Sequence, residues 1–518
     1  MRSSLFDVSL QYHVWQRILD ENQSVQAGAA TARMLIFSCV ATSFPLQKGS
    51  IAMFLRAALI FVVVSQIAGW TEPLLAATDK PNIVFIFADD LGWTDLGCYG
   101  SGFYKTPHID RLSEQGLKFT CAYTNAPNCA PTRACLMSGR YSPRHGIYTV
   151  STGARGDEKF RKMIPVKNIT DLPLSEVTMA DAMKQAGYVT GMFGKWHLGK
   201  GPKHHPSQRG FDEAISASRG HFGFKTTPHV PVDEDEYLAD FLTDQAVSFI
   251  ERHQDEPFFL YLPHNAVHTP IHAKETSTAK FQGKAPVGGH HNPVYAGMID
   301  SVDEGVGRIM AKLDELKLAD NTIVIFYSDN GGLGGYGELG GSTGRNITNN
   351  APLRGGKGML YEGGVRVPLI IRWPKTIPAG TVCDEPVISI DFYPTFLEVA
   401  AAQPNTTHEL DGISFLPLLK SGGKAKLDRD ALYWHFPGYL QADVKAGTWR
   451  TTPAGAIRVG DYKLLEFFED DHVELYNLRN DLSQKQDLAA KMPDKANALR
   501  DQLHQWRKSV NAPMPTRK

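Results

Sequence analysis

Two short pairs of oxygen-bearing residues, Asp89-Asp90 and Asp329-Asn330, each stand directly after a strand-like apolar run, residues 82–88 and 322–328. Carboxylate and amide oxygens are the ligands a hard divalent cation such as Ca²⁺ or Mg²⁺ takes. No His or Cys adjoins either pair, which argues against Zn²⁺. Taken singly, each pair serves equally well as a helix N-cap or a turn. Four further strings carry reactive types: Cys129-Ala-Pro-Thr-Arg133-Ala-Cys-Leu136-Met-Ser-Gly139-Arg140, Gly194-Lys195-Trp-His197, Ala266-Val-His268-Thr-Pro270 and Leu353-Arg-Gly-Gly-Lys357-Gly358. Alone, a cysteine before Ala-Pro packs as a small hydrophobe, each Lys or Arg is a solvated surface residue, and each His a hydrogen-bonded structural one.

Together they form a recognisable set. Cys-x-Pro-x-Arg followed by Leu and Gly-Arg at these offsets resembles the maturation signature of the formylglycine-dependent sulfatases, members of the alkaline-phosphatase-like superfamily. Thr132 stands where the family usually has Ser and keeps the hydroxyl. The resemblance runs from about residue 80 to 500, with the motifs in the family's order. It implies oxidation of Cys129 to formylglycine by a maturation enzyme, with Asp89, Asp90, Asp329, Asn330 and the modified Cys129 around Ca²⁺, or Mg²⁺ as the alternative. By the same resemblance Arg133 holds the hydrated aldehyde, Lys195 contacts it and the sulfate, and His197 orients it. His268 binds sulfate and helps protonate the leaving oxygen, and Lys357 bridges sulfate and leaving group. His221 lies at the offset from Gly210-Phe-Asp where relatives place a sulfate-contacting His, with Arg219 or His229 as alternatives.

The chemistry of those residue types agrees. Cleaving a sulfate monoester needs a strong oxygen nucleophile, a cation for it and for the sulfate oxygens, and a proton donor for the departing alkoxide. The implied route is attack of one hydrate oxygen of modified Cys129 on sulfur, with the alcohol leaving on a proton from His268 or Lys357. Sulfate is then eliminated with His197 taking the hemiacetal proton, a role suited to a group titrating near neutrality. Water enters only to rehydrate the aldehyde. His264 is a candidate for supporting the site from behind. His435 is read as core packing with the aromatics around it.

The elements that must hold these residues alternate strand and helix. Residues 82–88 and 322–328 have the continuous apolar character of strands buried on both faces of a parallel sheet. Residues 178–186 carry a helix pattern with Thr178 as N-cap and Gly187 as stop, leading into a strand at 188–193. Helices at 237–252 and 295–318 feed strands at 257–262 and 322–328. The polar strings thus fall repeatedly at the C-terminal ends of strands, where open α/β sheets bind ligands. The fold class expected is α/β, a large mostly parallel central sheet flanked by helices. From about residue 425 short segments at 456–459, 462–467 and 473–476, with a final helix at 494–508, predict a small antiparallel sheet. The glycine-rich stretch 331–344 reads as an active-site loop.

The domain division expected is an N-terminal extension and signal segment at 1–77, a catalytic domain at 78–424 and a small α+β domain at 425–518. The apolar run 53–68, the break after it and small residues near Ala76 and Ala77 match a secretory signal better than a spanning helix. Export to the periplasm or the exterior follows, with an uncleaved anchor as the alternative. The sequons Asn168-Ile-Thr, Asn346-Ile-Thr and Asn405-Thr-Thr matter only in a eukaryotic secretory host.

Composition narrows the partners. In 518 residues, 54 Lys+Arg balance 55 Asp+Glu, which excludes a whole-surface nucleic-acid or membrane role. Six Cys are too sparse for a disulfide scaffold. The expected substrate is a sulfated small molecule or saccharide, and an exported enzyme with several pocket-shaping loops favours a carbohydrate sulfate over an aryl one. Two other readings remain at this stage: a phosphonate or phosphodiester hydrolase using the same modified residue, and a non-catalytic sulfated-glycan-binding protein.

Overall fold

The computed structural model describes residues 80–218, 220–336, 347–405, 407–443 and 448–518. The signal segment, Arg219, Asn346 and the end of the glycine-rich loop lie outside those residues.

The central sheet has ten strands. In chain order the elements that build and flank it are β1 (Asn82–Ala88), β2 (Leu117–Tyr123), α1 (Cys129–Ser138), α2 (Met179–Gln185), β3 (Val189–Gly194), β4 (Glu213–Ala217), β5 (Thr226–Thr227), α3 (Leu238–Arg252) and β6 (Phe258–Pro263). They continue with α4 (Pro293–Glu315), β7 (Thr322–Ser328), β8 (Arg366–Arg372), β9 (Thr381–Cys383) and β10 (Val387–Ile388). The strand order is β9-β2-β8-β7-β1-β6-β3-β4-β5, with β10 beside β2. The sheet is mostly parallel, as expected, but β8 runs antiparallel to both β2 and β7, and β5 antiparallel to β4.

The reason β1 reads as unbroken apolar sequence is its double burial. Ile83, Phe85 and Phe87 enter one apolar layer, against α1 and α2, while Val84, Ile86 and Ala88 enter another, against α3 and α4. Alternate side chains serve opposite faces, so both must be apolar. On the first face Phe85 packs edge-on against Phe392, ring centroids 4.9 Å apart. Thr178 caps α2 as expected, accepting from the Asp181 N–H while Asp181 accepts from Thr178 N–H. The helix expected at 295–318 starts two residues earlier, behind the Asn292 cap, and ends three earlier, because the chain leaves α4 at Glu315, Lys317 turns left-handed (φ 58°) and a 3₁₀ turn at Ala319–Asn321 delivers β7.

The C-terminal segment forms an antiparallel sheet of β11 (Leu432–Phe436), β12 (Ala454–Val459), β13 (Tyr462–Phe467) and β14 (Val473–Asn477), followed by α5 (Pro493–Ser509). Its β11 was not separable from core aromatics by sequence. Trp434 Nε1 donates to Thr124 O at 2.7 Å, and buried His435 bonds Pro513 O at 2.8 Å, so His435 belongs to packing as expected.

Candidate active site

The parallel register of β1 and β7, Asn82 opposite Thr322 through Ala88 opposite Ser328, releases Asp89-Asp90 and Asp329-Asn330 side by side. Asp90 takes a left-handed backbone (φ 65°) and donates its N–H to Asp329 Oδ1 at 3.1 Å. Asn330 Nδ2 donates to Asp90 Oδ1 at 2.9 Å. A non-glycine residue at positive φ is uncommon and needs surrounding contacts to hold it; these bonds supply them.

Cys129 opens α1 with Asn128 as N-cap, so it sits at the positive end of a helix of 10 residues. Pro131 falls in the first turn, where its missing N–H costs no helical bond. One turn on, Arg133 is fully buried. Its Nε and Nη2 donate to Asp329 Oδ2 at 3.1 and 2.8 Å, and Nη1 donates to Lys195 O at 2.8 Å. The Arg133 guanidinium lies 5.0 Å over the Phe87 ring.

Lys195 and His197 follow β3, whose last residue, Gly194 (φ 131°), could not be replaced without loss: a Cβ there would stand 2.0 Å from Pro263 O. That close approach seats Lys195 N–H on Pro263 O at 2.8 Å and aims its ammonium at Asp89 Oδ2. His197 is the second site residue with positive φ (63°). His268, beyond β6, bonds Thr269 O through Nδ1 at 2.6 Å and turns Nε2 toward Asp90 Oδ2 at 3.7 Å. Its carbonyl accepts from His221 Nε2 at 2.8 Å. Lys357 reaches Asp90 Oδ2 at 2.6 Å, and its neighbour Gly358 donates N–H to Pro127 O at 2.6 Å.

All the residues singled out for chemistry are therefore together. Asp89, Asp90, Cys129, Lys195, His197, His221, His268 and Lys357 line one open cleft of about 1980 Å³, with Arg133, Asp329 and Asn330 buried around them. Of the alternatives to His221, His229 is exposed. His264 is buried and holds no place in the cleft lining.

The charges are unusual. Burial opposes ionisation of Asp89, but Lys195, His268 and Arg133 hold its carboxyl well below the usual range. Burial and then the charge of Asp89 push Asp329 well above that range despite Arg133. Burial also opposes the two lysines, yet Asp89 raises Lys195 and Asp90 raises Lys357. His197 departs from the expectation of a near-neutral group: burial, then Lys195 and Arg133, lower it to about 3, so it is neutral across physiological pH. Burial, aided by Lys357 and Lys195, also lowers His268.

The donor set fits a hard cation. Ligand atoms of Asp89, Cys129 and Asp329 lie within 4.8 Å of one another, as do those of Asp89, Asp90 and His268. Asp89 Oδ1 and Asn330 Oδ1 are buried without a partner, and orphaned carboxylate and amide oxygens are the ligands a hard cation takes.

Sequence reasoning missed several cleft residues. Asn128 and Asn265 line it, each with a buried, unpartnered Oδ1. Arg155 and Arg450 line it too, from segments without any motif. Asn128 beside Cys129 and Asn265 just before Ala266-Val-His268 offer a positional signal, whereas the loop 149–170 and the C-terminal domain read as shaping the pocket without singling out either arginine.

Residues 81–402 match the family described as Sulfatase, and residues 356–510 match the family described as N-sulphoglucosamine sulphohydrolase, C-terminal. A "Sulfatase" of Formosa agariphila is 34% identical, covering 89% of this chain and 94% of its own. The human N-acetylgalactosamine-6-sulfatase is 34% identical over 73% of each chain. Among solved structures, Ps i-CgsB in complex with k-i-k-neocarrahexaose is 32% identical, with a TM-score of 0.69, covering 82% of this chain and 92% of that one. With cleft, motifs and relatives in agreement, the chain belongs to the formylglycine-dependent sulfatases of alkaline-phosphatase-like fold and is a sulfuric ester hydrolase.

Proposed function

We propose that the protein removes sulfate from a saccharide, using formylglycine made from Cys129 and a divalent cation, Ca²⁺ or Mg²⁺. The observation that carries the reading is the convergence, at the C-terminal ends of β1, β3, β6 and β7, of Cys129 with a carboxylate cluster and with two ammonium groups and two imidazoles. A carbohydrate substrate is supported by relatives named for a sulfated amino sugar and solved with a carrageenan-type oligosaccharide. Cleft width agrees, since about 1980 Å³ exceeds what a small aryl ester fills. The apolar run at 53–68 supports export, and among the described residues no helix is long and apolar enough to cross a membrane.

Oxidised to formylglycine, Cys129 supplies a hydrated aldehyde whose two hydroxyls serve as nucleophile and as the group that later expels sulfate. A cation held by Asp89, Asp90, Asp329 and Asn330 supplies positive charge to that hydrate and to the sulfate oxygens. Lys195 and Lys357 add fixed positive charge to the cleft lining, where it stabilises oxyanions. Arg133 locks Asp329 and the Lys195 backbone in place. His197, neutral, holds an acceptor for the proton that must leave the second hydroxyl. Lys357, held charged by Asp90, is the better-supplied donor for the departing alcohol, and His268 stands beside it.

The test compares turnover of matched sulfate and phosphate esters, together with mass spectrometry of the peptide spanning Cys129. Sulfate turnover by protein carrying the aldehyde is expected. A large preference for phosphorus, or full activity with an unmodified thiol, would overturn the reading.

A further inference from the structure

Arg155 and Arg450 line the same cleft as Cys129 and Lys357, and the backbone brings them together by design of the loops that carry them. Tyr439 N–H donates to Gly153 O at 2.7 Å, and Ala154 bridges Tyr439 in a parallel step. That junction binds the loop holding Arg155 to the hairpin of Leu440–Asp443 and Thr448–Thr451, which carries Arg450. Trp449 packs on Tyr439, ring centroids 4.7 Å apart, and steadies the hairpin base.

Each arginine is then positioned individually. Arg155 Nη2 donates to Val150 O at 2.5 Å. Arg450 lays its guanidinium 4.5 Å over the Tyr336 ring, and its stem runs along Gly358, where a Cβ would come within 2.5 Å of Arg450 Cδ. Gly358 adjoins Lys357 and bonds Pro127, two residues before Cys129, so the stem of Arg450 passes one residue from the reaction centre.

Neither guanidinium has a carboxylate partner among the described residues, and Arg450 Nε is buried with no hydrogen-bond acceptor. The two feel each other: burial, then the charge of Arg450, lower Arg155 from its ordinary value. Two like charges brought together, one of them with a buried Nε that finds no acceptor, are unfavourable unless an anion completes them. Guanidinium forks match the geometry of a planar carboxylate or a tetrahedral oxyanion.

We infer that Arg155 and Arg450 form a second anion subsite of the cleft, which holds an oxyanion, a sulfate ester or a carboxylate, on the sugar next to the one being desulfated. The inference rests on the saccharide sulfatase reading and narrows it to a polyanionic saccharide.

Four substrates test it: a singly sulfated hexose, and the same sugar linked to a neutral hexose, to a uronic acid or to a second sulfated hexose. The wild-type enzyme is expected to favour one or both doubly anionic disaccharides over the neutral one by about tenfold or more in kcat/KM. The winner identifies the anion as carboxylate or sulfate. Arg155→Gln and Arg450→Gln each collapse that ratio toward unity, mostly through KM, and Arg450→Lys restores part of it. A wild-type ratio near unity, or a ratio untouched by either substitution, overturns the subsite. The same saccharides are titrated calorimetrically into Cys129→Ser protein and its arginine variants. If wild type desulfates none of them, the substrate reading fails, while an arginine-dependent preference in the binding arm upholds the subsite and its absence refutes it.

Discussion

His197 reaches the cleft neutral and Lys357 reaches it charged, although both stand among the same ammonium groups and carboxylates. The difference is contact: Lys357 lies on Asp90, whereas His197 has Lys195 and Arg133 nearby and a buried, unpartnered Nδ1. Since kcat/KM follows the free enzyme, His197 should impose no acid limb between pH 7 and about 5. A limb near pH 6.5 that disappears in His197→Gln would contradict this. The same substitution should lower kcat by about 10²-fold or more and turn the time course into a burst of alcohol followed by slow sulfate release. Equal slowing of both products would move His197 to the first step. Cys129→Ala should lose turnover while still binding sulfated saccharide, and retained turnover would place the nucleophile elsewhere.

At the scale of elements, the join between the two sheets is a buried charge cluster. Glu362, just before β8, bonds Lys463 of β13 at 2.8 Å, Arg366 of β8 at 3.3 Å and the Tyr123 hydroxyl of β2 at 2.6 Å. Arg458 of β12 bonds the same hydroxyl at 2.5 Å. Burial works against the Glu362 carboxylate, but Lys463, Arg366 and Arg458 outweigh it and lower it to about 2. A depressed folded value means its stabilisation is complete above the unfolded glutamate range, near pH 4.3, and fades as pH falls toward 2. Glu362→Gln should cost about 3–5 kcal/mol in denaturant unfolding at neutral pH, because Lys463 and Arg366 lose their carboxylate partner and Arg458 a nearby negative charge. It should also flatten the acid slope of stability below about pH 4.5. A neutral effect on both would show that the cations find other acceptors.

This cluster also marks where sequence stops informing. β1 and β7 were legible because burial on both faces leaves only apolar residues, and α2 because Thr178 and Asp181 form a cap within four residues. Glu362, Lys463 and Arg458 look like ordinary surface charges in the chain, since their pairing depends on a contact between sheets some 100 residues apart. The same holds for the site. Every motif residue converged, but Arg155 and Arg450 come together through a backbone bridge between Ala154 and Tyr439, a contact some 285 residues apart in sequence that no local pattern announces. The antiparallel course of β8 was hidden because an apolar strand reads the same in either direction.

For the whole molecule, a cation held by the carboxylate cluster, as proposed, would couple stability to its concentration. Anything bound by the native site alone stabilises by mass action, about 2.7 kcal/mol at one hundred times its Kd. Chelator-treated protein should therefore unfold at lower temperature and lose turnover, with Ca²⁺ or Mg²⁺ restoring both. Asp329→Asn should blunt the cation-dependent rise in the unfolding midpoint, and a midpoint indifferent to chelation would remove the cation from Asp89, Asp90, Asp329 and Asn330.

Cys129 is 1% exposed, and Ala130, Pro131, Thr132 and Arg133 behind it are buried within α1. On the proposed chemistry, an enzyme that oxidises the Cys129 β-carbon has to grip those flanking residues, and the folded protein offers none of them. On that chemistry maturation would precede folding. A chain that folded first would keep its thiol, with the flanking residues of α1 buried behind it. The specific activity of a preparation would count how many chains met the maturation enzyme early enough, a record of biosynthesis and not a property of the finished fold.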